Sequence, residues 1–357
     1  MPKTRKCAKC FTAHPKWGVF PFKHVTAVTE TGKGGNGEVR IITYEHDGET
    51  AKAVMKFAKI GKSSDSLAYE FFVGKWVNKY LTKFPCFIET YDIGHFVTKE
   101  ARRDLNTTVA AFNKNKILRP HRRKEVCTSP HQLAILIEYV EQSVKLRDLY
   151  DDPVELANVL FQIYMPLSIL SDDFTHYDLH KSNILLSNPY PGKYIHYRYH
   201  TPWNTVSFKS KYIAKIIDYG RCYVSGNAAF FNTYNCDKTK AEFRCYRDKV
   251  AAAKKHYNSC ATINPSADLR LLKLIGDGIP TSSPLMPLFD EVVYDNDPNL
   301  DSQQHYGSMK LPDAFPKIQT VNDAARALAD YVKDVAVDPS LVVATIDVYP
   351  DRPMRIY

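Results

Sequence analysis

The segment His176–Asn183 is the sequence feature that most constrains what this chain can fold into. It places Asp178 and Asn183 five residues apart, and a second carboxylate, Asp218, follows the apolar run Tyr212–Ile217. One carboxylate can orient a hydroxyl group and accept its proton, while an amide oxygen and another carboxylate can hold magnesium ions. Phosphoryl transfer from ATP requires these roles. Asp and Asn are also ordinary turn residues, so a plain surface turn is the alternative interpretation.

A glycine-rich segment lies upstream between two predicted strands. Val25–Glu30 and Val39–Tyr44 have the alternation of strands, and Gly32-Lys33-Gly34-Gly35-Asn36-Gly37-Glu38-Val39 connects them. Glycine has no Cβ atom, so its backbone can approach phosphate oxygens closely. The alternative is a flexible hairpin tip. The candidate nucleotide-binding residues in this segment are Gly32, Gly34, Gly35, Gly37 and Val39.

The next predicted strand carries a lysine, and the helix after it carries a glutamate. The turn His46–Glu49 contains Asp-Gly, which favours a tight hairpin, and Ala51–Phe57 is predicted to return as a strand with Lys56. Ser66–Leu81 has helical periodicity and places Glu70 in its first turns. A lysine on the strand after the glycines differs from a Rossmann unit, in which the glycines open a helix. A solvated acid on the helix face is the alternative for the glutamate.

Together these segments resemble the motifs of the protein kinase-like superfamily. Gly32–Val39 matches G-x-G-x-x-G-x-V, His176–Asn183 matches H-x-D-x-x-x-x-N, and Asp218–Gly220 matches D-[FY]-G. The resemblance extends from about residue 25 to about residue 275. It implies an α+β, bilobal protein kinase-like fold with a β-rich N-lobe, a mainly helical C-lobe and inserts.

The resemblance implies a role for each candidate site residue. Lys56, held by Glu70, would position the phosphates of ATP. Asp178 would orient the acceptor hydroxyl, and Asn183 and Asp218 would bind the metal ion. The implied cofactors are ATP and Mg²⁺, with Mn²⁺ as an alternative metal.

The apolar strand Leu133–Tyr139 resembles the hinge that connects the two lobes of a kinase. By this resemblance, backbone groups of Glu138 and Val140 would bind adenine, and Ile137 would be the gatekeeper. A buried strand that leads to an ordinary surface loop is the alternative interpretation.

Three departures from the family pattern leave the acceptor open. Tyr177 replaces the Arg of H-R-D, which argues against activation by loop phosphorylation. His180 stands where serine/threonine kinases usually have Lys; when protonated it could stabilise transferred charge, which would make activity sensitive to pH near neutrality. Asp178-Leu179-His180 is closer to small-molecule kinases, and no A-P-E sequence follows Asp218.

One further string favours Ser or Thr residues of proteins as acceptors. Asp268 in Ser266–Leu272 resembles the buried Asp beneath the catalytic loop, and D-L-x-x-L occurs similarly in casein-kinase-1-like and vaccinia-related kinases. A simple N-cap Asp is the alternative. The long inserts resemble in style the kinases of large DNA viruses. A small-molecule kinase and a pseudokinase or structural scaffold are the rival hypotheses; the intact Lys, Glu, Asp, Asn, Asp set argues against the scaffold.

Composition and charge bound the class of protein. The chain has 357 residues, of which 44% are hydrophobic and 24% charged, as in ordinary globular proteins. Much of the net charge of +9 comes from bases between residues 100 and 124. They predict a solvated loop or a patch for an acidic protein or nucleic acid. No run approaches about 18 apolar residues, so we expect no membrane segment and a cytoplasmic location, or host cytoplasm or virion if viral.

The predicted organisation is an N-terminal arm at 1–23, an N-lobe at 24–140 and a C-lobe at 141–357. The N-lobe carries the basic insert at about 98–130. The C-lobe carries an aromatic insert at about 188–212, predicted as a β-hairpin arm that either packs on itself or forms a partner surface. A C-terminal extension follows, with a helix at Thr320–Asp334 and a strand at Val342–Tyr349. Cys7 and Cys10 are either half of a zinc site or free thiols.

Overall fold

A computed structural model describes residues 25–33, 37–46, 48–58, 67–96, 118–120, 133–141, 143–226, 263–293 and 318–357. The chain divides into two compact units. Among the described residues, the N-terminal unit comprises those up to 78, those in 88–139, and Gly226. The C-terminal unit comprises 79–87, 140–225 and everything described from 263 onward. Most of the basic insert, together with Cys7 and Cys10, lies outside the described residues.

The described part of the N-terminal unit is a six-stranded antiparallel sheet with one helix, α1, Leu67–Val77. The strands are β1 Val25–Lys33, β2 Gly37–His46, β3 Glu49–Ala58, β4 Thr90–Phe96, β5 Leu118–Pro120 and β6 Leu133–Glu138. Their order in the sheet is β1-β2-β3-β6-β4-β5. Helix α1 packs on β4 and β6, and it approaches β4 closely at Gly74, where a Cβ atom would lie 2.0 Å from Thr90 Oγ1.

Alternation along β3 builds the core of this unit. Ala51, Ala53, Met55 and Phe57 are buried, as expected for alternate residues of a strand with one face on the core. The predicted hairpin between β2 and β3 is confirmed, and Gly48 in its turn has a φ of 76°, a left-handed conformation that favours glycine. The turn therefore fixes the register that places the lysine of β3.

Among its described residues, the C-terminal unit contains four helices and three small sheets. The helices are α2 Pro153–Ile169, α3 Arg270–Gly276, α4 Met286–Asp290 and α5 Val321–Tyr331. The strands are β7 Ser143–Lys145, β8 Phe174–Thr175, β9 Ile184–Ser187, β10 Tyr194–His200, β11 Thr205–Ser210, β12 Ile213–Ile216, β13 Tyr223–Val224, β14 Val342–Val348 and β15 Arg355–Ile356. They form sheets in the orders β11-β10-β14-β15, β12-β9-β7 and β13-β8. The α+β fold class predicted from the sequence is confirmed, with a sheet-rich N-terminal unit.

Two helices begin at caps that the sequence supplies. Asp152 Oδ1 accepts a hydrogen bond from the Glu155 N–H at the start of α2. Thr320 and Asp323 form a reciprocal capping box at the start of α5. Helix α4, with five residues, is too short to show a helical period in the sequence.

The aromatic insert is a hairpin whose inner face belongs to the core. Strands β10 and β11 pair as predicted, and Tyr197, Tyr199 and Phe208 are buried. Phe161 of α2 meets Tyr199 and Phe208 edge-on at ring-centroid distances of 5.3 and 6.0 Å. Strand β14 extends this sheet by parallel pairing with β10. These buried rings are therefore not available to a partner, and the partner-surface interpretation stays a prediction for the exposed part of the insert, which includes Trp203.

None of the helices in the described part of the chain combines the length and apolar character needed to cross a membrane.

We expect Phe208→Ala to lower the unfolding free energy of the C-terminal unit by about 3–5 kcal/mol, because it removes a fully buried ring. Urea denaturation followed by circular dichroism measures the change. The control is Val343→Ala on β14, whose side chain is 41% exposed and should cost no more than about 0.5 kcal/mol. Equal effects of the two substitutions would contradict the buried placement of the hairpin.

Candidate active site

Lys56 and Glu70 form an ion pair in the N-terminal unit. Lys56 lies on β3 opposite Val39 of β2 and Ile135 of β6. Its Nζ donates to Glu70 Oε1 at 3.0 Å and to Oε2 at 2.7 Å. The Glu70 side chain is 5% exposed, so the interpretation as a solvated acid is wrong. A carboxylate this deeply buried needs an opposite charge and hydrogen bonds to offset its desolvation, and the pair therefore holds the ammonium group in place.

The glycine-rich segment is described at its two ends. Strands β1 and β2 pair Gly32 with Val39, so the chain reverses direction between these residues. Gly37 is the first residue of β2, whereas Gly34 and Gly35 lie outside the described residues. Val39 in turn lies opposite Lys56 on β3. The two ends of the glycine segment therefore lie on β1 and β2, and β2 is the strand next to the one that carries the lysine of the ion pair.

The end of β6 is tied to the start of β4. The Glu138 N–H donates to the Glu89 carbonyl at 2.9 Å, and Glu138 Oε2 accepts from the Glu89 N–H at 3.0 Å. The N–H and side chain of Glu138 are therefore engaged within the sheet. Val140 is buried in the C-terminal unit. The adenine contacts of both residues stay predictions.

The segment His176–Asn183 forms an internally bonded loop in the C-terminal unit. The Asp178 N–H donates to the His176 carbonyl at 2.8 Å, and Tyr177 between them has a φ of 60°. Asn183 Nδ2 donates to the Asp178 carbonyl at 2.9 Å. A left-handed backbone is costly for an aromatic residue, so contacts elsewhere must stabilise this loop.

Two hydrogen bonds join this loop to the residue before Asp218. The Ile217 N–H donates to the Asn183 carbonyl at 3.0 Å, and the Ile217 carbonyl lies 3.0 Å from His176 Nε2. Burial lowers the pKa of His176, and because a carbonyl only accepts, the neutral ring carries its hydrogen on Nε2. Asp218 has a φ of 68°, and it and Tyr177 are the non-glycine residues with positive φ among those described.

Asn183 and Asp218 supply the oxygen ligands predicted for a metal ion. The Asn183 Nδ2 hydrogen bond fixes the orientation of the amide, so Oδ1 would be its ligand atom. Mg²⁺ prefers oxygen ligands and usually binds one or two carboxylates together with waters and substrate phosphates, so these residues fit it. In the part of the chain that the structure describes, no group of three or more His, Cys, Asp or Glu residues could hold a metal ion.

Three basic side chains surround the carboxylate of Asp178. Arg270 Nη1 lies 2.8 Å from Oδ1, Arg221 Nε lies 3.8 Å from Oδ2, and His180 Nε2 lies 3.8 Å from Oδ1. Neither arginine belongs to a motif that the sequence shows. The available signal for Arg270 was its position two residues after Asp268, the residue predicted to lie beneath the loop.

The surroundings of His180 favour its neutral form. Burial lowers the pKa of His180, and the positive charge of Arg270 lowers it further, against the opposing effect of Asp178. The His180 Nδ1 accepts a hydrogen bond from the Ser182 N–H at 3.2 Å, so the ring hydrogen lies on Nε2. A protonated ring that stabilises transferred charge near neutral pH is therefore disfavoured.

Asp268 holds the backbone of the loop from below. Its Oδ2 accepts from the His176 N–H at 2.8 Å and its Oδ1 from the Tyr177 N–H at 2.9 Å. The N-cap interpretation is wrong, because Asp268 lies inside the 3-10 helix Ala267–Leu269, which Ser266 precedes. Burial outweighs the two N–H donors and raises the pKa of Asp268 to about 7.

No family model matches this sequence. No curated protein matches it either. The solved structures that it resembles include a crystal structure of a kinase domain, at a TM-score of 0.35 and 16% sequence identity. That match covers 57% of this chain and 52% of the other, so it spans about half of each. The placement of every side chain described above comes from this chain's own contacts.

We expect Asp268→Asn to loosen the loop, because an amide has one acceptor oxygen and would direct its NH₂ group at the second backbone donor. The cost should be about 1–3 kcal/mol of local stability. Hydrogen exchange at the His176 and Tyr177 amides measures it.

In the wild type, the pKa of Asp268 in the folded state, about 7, exceeds the value of about 3.9 for an unfolded chain. The difference in pKa therefore adds to the free energy of unfolding below about pH 4. This contribution is lost as the pH rises through about 7.

Protection of these amides, corrected for intrinsic exchange, should thus fall with rising pH in the wild type but not in Asp268→Asn. The control is Asp277→Asn at the end of α3, whose side chain is 60% exposed. A wild-type protection independent of pH would contradict the buried, titrating carboxylate.

Proposed function

We propose that this chain is an ATP- and magnesium-dependent phosphotransferase that acts on Ser or Thr hydroxyl groups of proteins. The observation that carries the proposal is the loop His176–Asn183 with Asp218 joined to it through Ile217. It combines two carboxylates and an amide on a backbone that is left-handed at Tyr177 and Asp218. Such conformations concentrate at functional sites, where the surrounding structure holds them.

In this proposal, the C-terminal unit performs the transfer. Asp178 orients the acceptor hydroxyl and takes its proton as the hydroxyl oxygen bonds to the γ-phosphorus of ATP. The bond from that phosphorus to the β,γ-bridging oxygen breaks, and ADP leaves with the electron pair. Asn183 Oδ1 and the Asp218 carboxylate would hold Mg²⁺, which would supply positive charge to neutralise the phosphate oxygens.

The N-terminal unit supplies the groups for the nucleotide. Lys56 contacts phosphate oxygens while Glu70 fixes its ammonium group. The glycine motif Gly32–Val39 favours phosphate binding by this unit. Backbone groups of Glu138 and Val140 bind adenine.

The resemblance of Asp268-Leu269 and the following residues to casein-kinase-1-like and vaccinia-related kinases supports a protein acceptor. A small-molecule acceptor is the second candidate, favoured by Asp178-Leu179-His180. Binding of an acidic protein or nucleic acid by residues 100–124, a cytoplasmic location and a viral origin stay predictions.

Asp178→Ala should reduce phosphoryl transfer by about 10²–10⁴-fold, the usual contribution of a positioned general base. The dissociation constant for ATP should change less, because Asp178 contacts the acceptor rather than the nucleotide. Transfer from γ-labelled ATP to dephosphorylated casein, myelin basic protein and a panel of metabolites measures the first quantity, and calorimetry measures the second.

The matched control is Asp172→Ala, an exposed carboxylate shortly before the loop. Label on metabolites alone would replace the protein-kinase assignment by the small-molecule one. Equal inactivity of wild type and Asp178→Ala on every acceptor, with ATP still bound, would support a scaffold.

Glu70→Gln should weaken ATP binding and lower turnover, by about tenfold or more in kcat/KM, because Lys56 loses its charged partner. A comparison with Glu45→Gln controls for the charge change in this unit, since Glu45 is an exposed residue of β2. Steady-state kinetics at varied ATP concentration separates KM from kcat. Unchanged kinetics in Glu70→Gln would remove this ion pair from the nucleotide site.

A further inference from the structure

Arg270 is held directly against the candidate catalytic carboxylate. Its Nη1 lies 2.8 Å from Asp178 Oδ1, and the two side chains are 12% and 17% exposed. Arg221 is 3.8 Å from the other oxygen, and its side chain is 43% exposed. Ion pairs shielded from solvent are screened less than exposed pairs, so Arg270 constrains Asp178 more strongly than Arg221 does.

The position of Arg270 in the chain makes this contact rigid. It is the first residue of α3 and stands two residues after Asp268, whose carboxylate accepts the two backbone N–H groups of the loop. One short segment therefore holds both the backbone of the loop and the side chain of Asp178. A planar guanidinium loses less conformational freedom per hydrogen bond than an ammonium group does, which suits it to fixing an orientation.

Arg270 also supplies a positive charge directly beside the Asp178 carboxylate. His180 occupies the position where the family pattern has Lys, and its Nε2 lies farther from Asp178 Oδ1, at 3.8 Å. Arginine stays protonated at any pH at which the protein is folded. A positive charge beside the Asp178 carboxylate therefore comes from α3, a different part of the chain.

We propose that Arg270 is a positioning residue of the phosphotransferase site, in which its guanidinium holds Asp178 Oδ1 and so directs Oδ2 to the acceptor hydroxyl. The proposal rests on the function proposed above. During transfer, the hydroxyl proton moves to Oδ2 while Arg270 keeps its own protons and its hydrogen bond to Oδ1. Arg270 acts through Asp178 and need not touch the substrate.

The test compares Arg270→Gln and Arg270→Lys with the wild type, using γ-labelled ATP and dephosphorylated casein, or whichever acceptor the panel labels best. Arg270→Gln should lower kcat about 10- to 100-fold, the size expected when a catalytic group is displaced by about 1 Å. The KM for ATP should change less than about threefold, because the nucleotide contacts are intact. Arg270→Lys should recover part of kcat, since it restores the charge without the fork.

The matched control is Lys273→Gln, which removes a positive charge from the exposed side of the same helix. Thermal unfolding of each variant separates loss of fold from loss of positioning, and Arg270→Lys provides a second variant if Arg270→Gln unfolds. The double variant with Asp178→Ala completes a thermodynamic cycle. In the Asp178→Ala background, Arg270→Gln should have little further effect on the residual rate.

Each other outcome overturns the proposal in a recognisable way. A faster Arg270→Gln would show that the ion pair restrains Asp178 in an inactive state. An equal slowing in the Asp178→Ala background would show that Arg270 acts elsewhere. If the wild type and Arg270→Gln transfer phosphate equally fast, the proposed role of Arg270 is wrong but the proposed function stands. If the wild type transfers phosphate to no acceptor, the proposed function is wrong as well.

Discussion

The carboxylate of Asp268 accepts hydrogen bonds from the N–H groups of His176 and Tyr177, and the geometry of the candidate active site depends on these two bonds. Tyr177 has a left-handed backbone, which an aromatic residue does not adopt without support. Because Asp178 follows directly, its direction is set by this supported residue. Burial raises the pKa of Asp268, so the bonds form at the cost of desolvating a carboxylate.

From this point, fixed contacts lead to the other candidate residues. The Asn183 side chain donates to the Asp178 carbonyl, and the Asn183 carbonyl accepts from the Ile217 N–H. Asp218 follows Ile217 directly, so the second bond brings this carboxylate to the loop. Arg270, two residues after Asp268, donates a hydrogen bond to the Asp178 carboxylate. In the N-terminal unit, the same physical rule joins Lys56 to Glu70: a buried charge is retained where an opposite charge is held against it.

The C-terminal unit departs from a mainly helical arrangement at the aromatic insert. Its hairpin carries alternate buried aromatic residues onto α2, and buried Glu155 accepts hydrogen bonds from Ser210 and Lys211 at the hairpin's end. Strand β14, from near the C-terminus, then pairs with β10 in parallel. The insert and the C-terminal extension therefore form one sheet, although each looks like a separate addition in the sequence.

The sequence by itself determined where the strands and helices named next begin or end. It also determined which candidate site residues lie within a few positions of one another. Glycine and turn residues bounded β2 and β3, capping residues began α2 and α5, and spacing placed Asp178 and Asn183 in one loop. Alternation showed which hairpin residues share a face but could not say what covers it, because many partners satisfy the same apolar pattern. Only the tertiary structure decided the contacts between distant segments. Arg270 is 92 residues from Asp178, and the sheet partner of β10 begins at Val342. The neutral state of His180 and the raised pKa of Asp268 were likewise decided there, because burial arises from packing and has no local signal in the sequence.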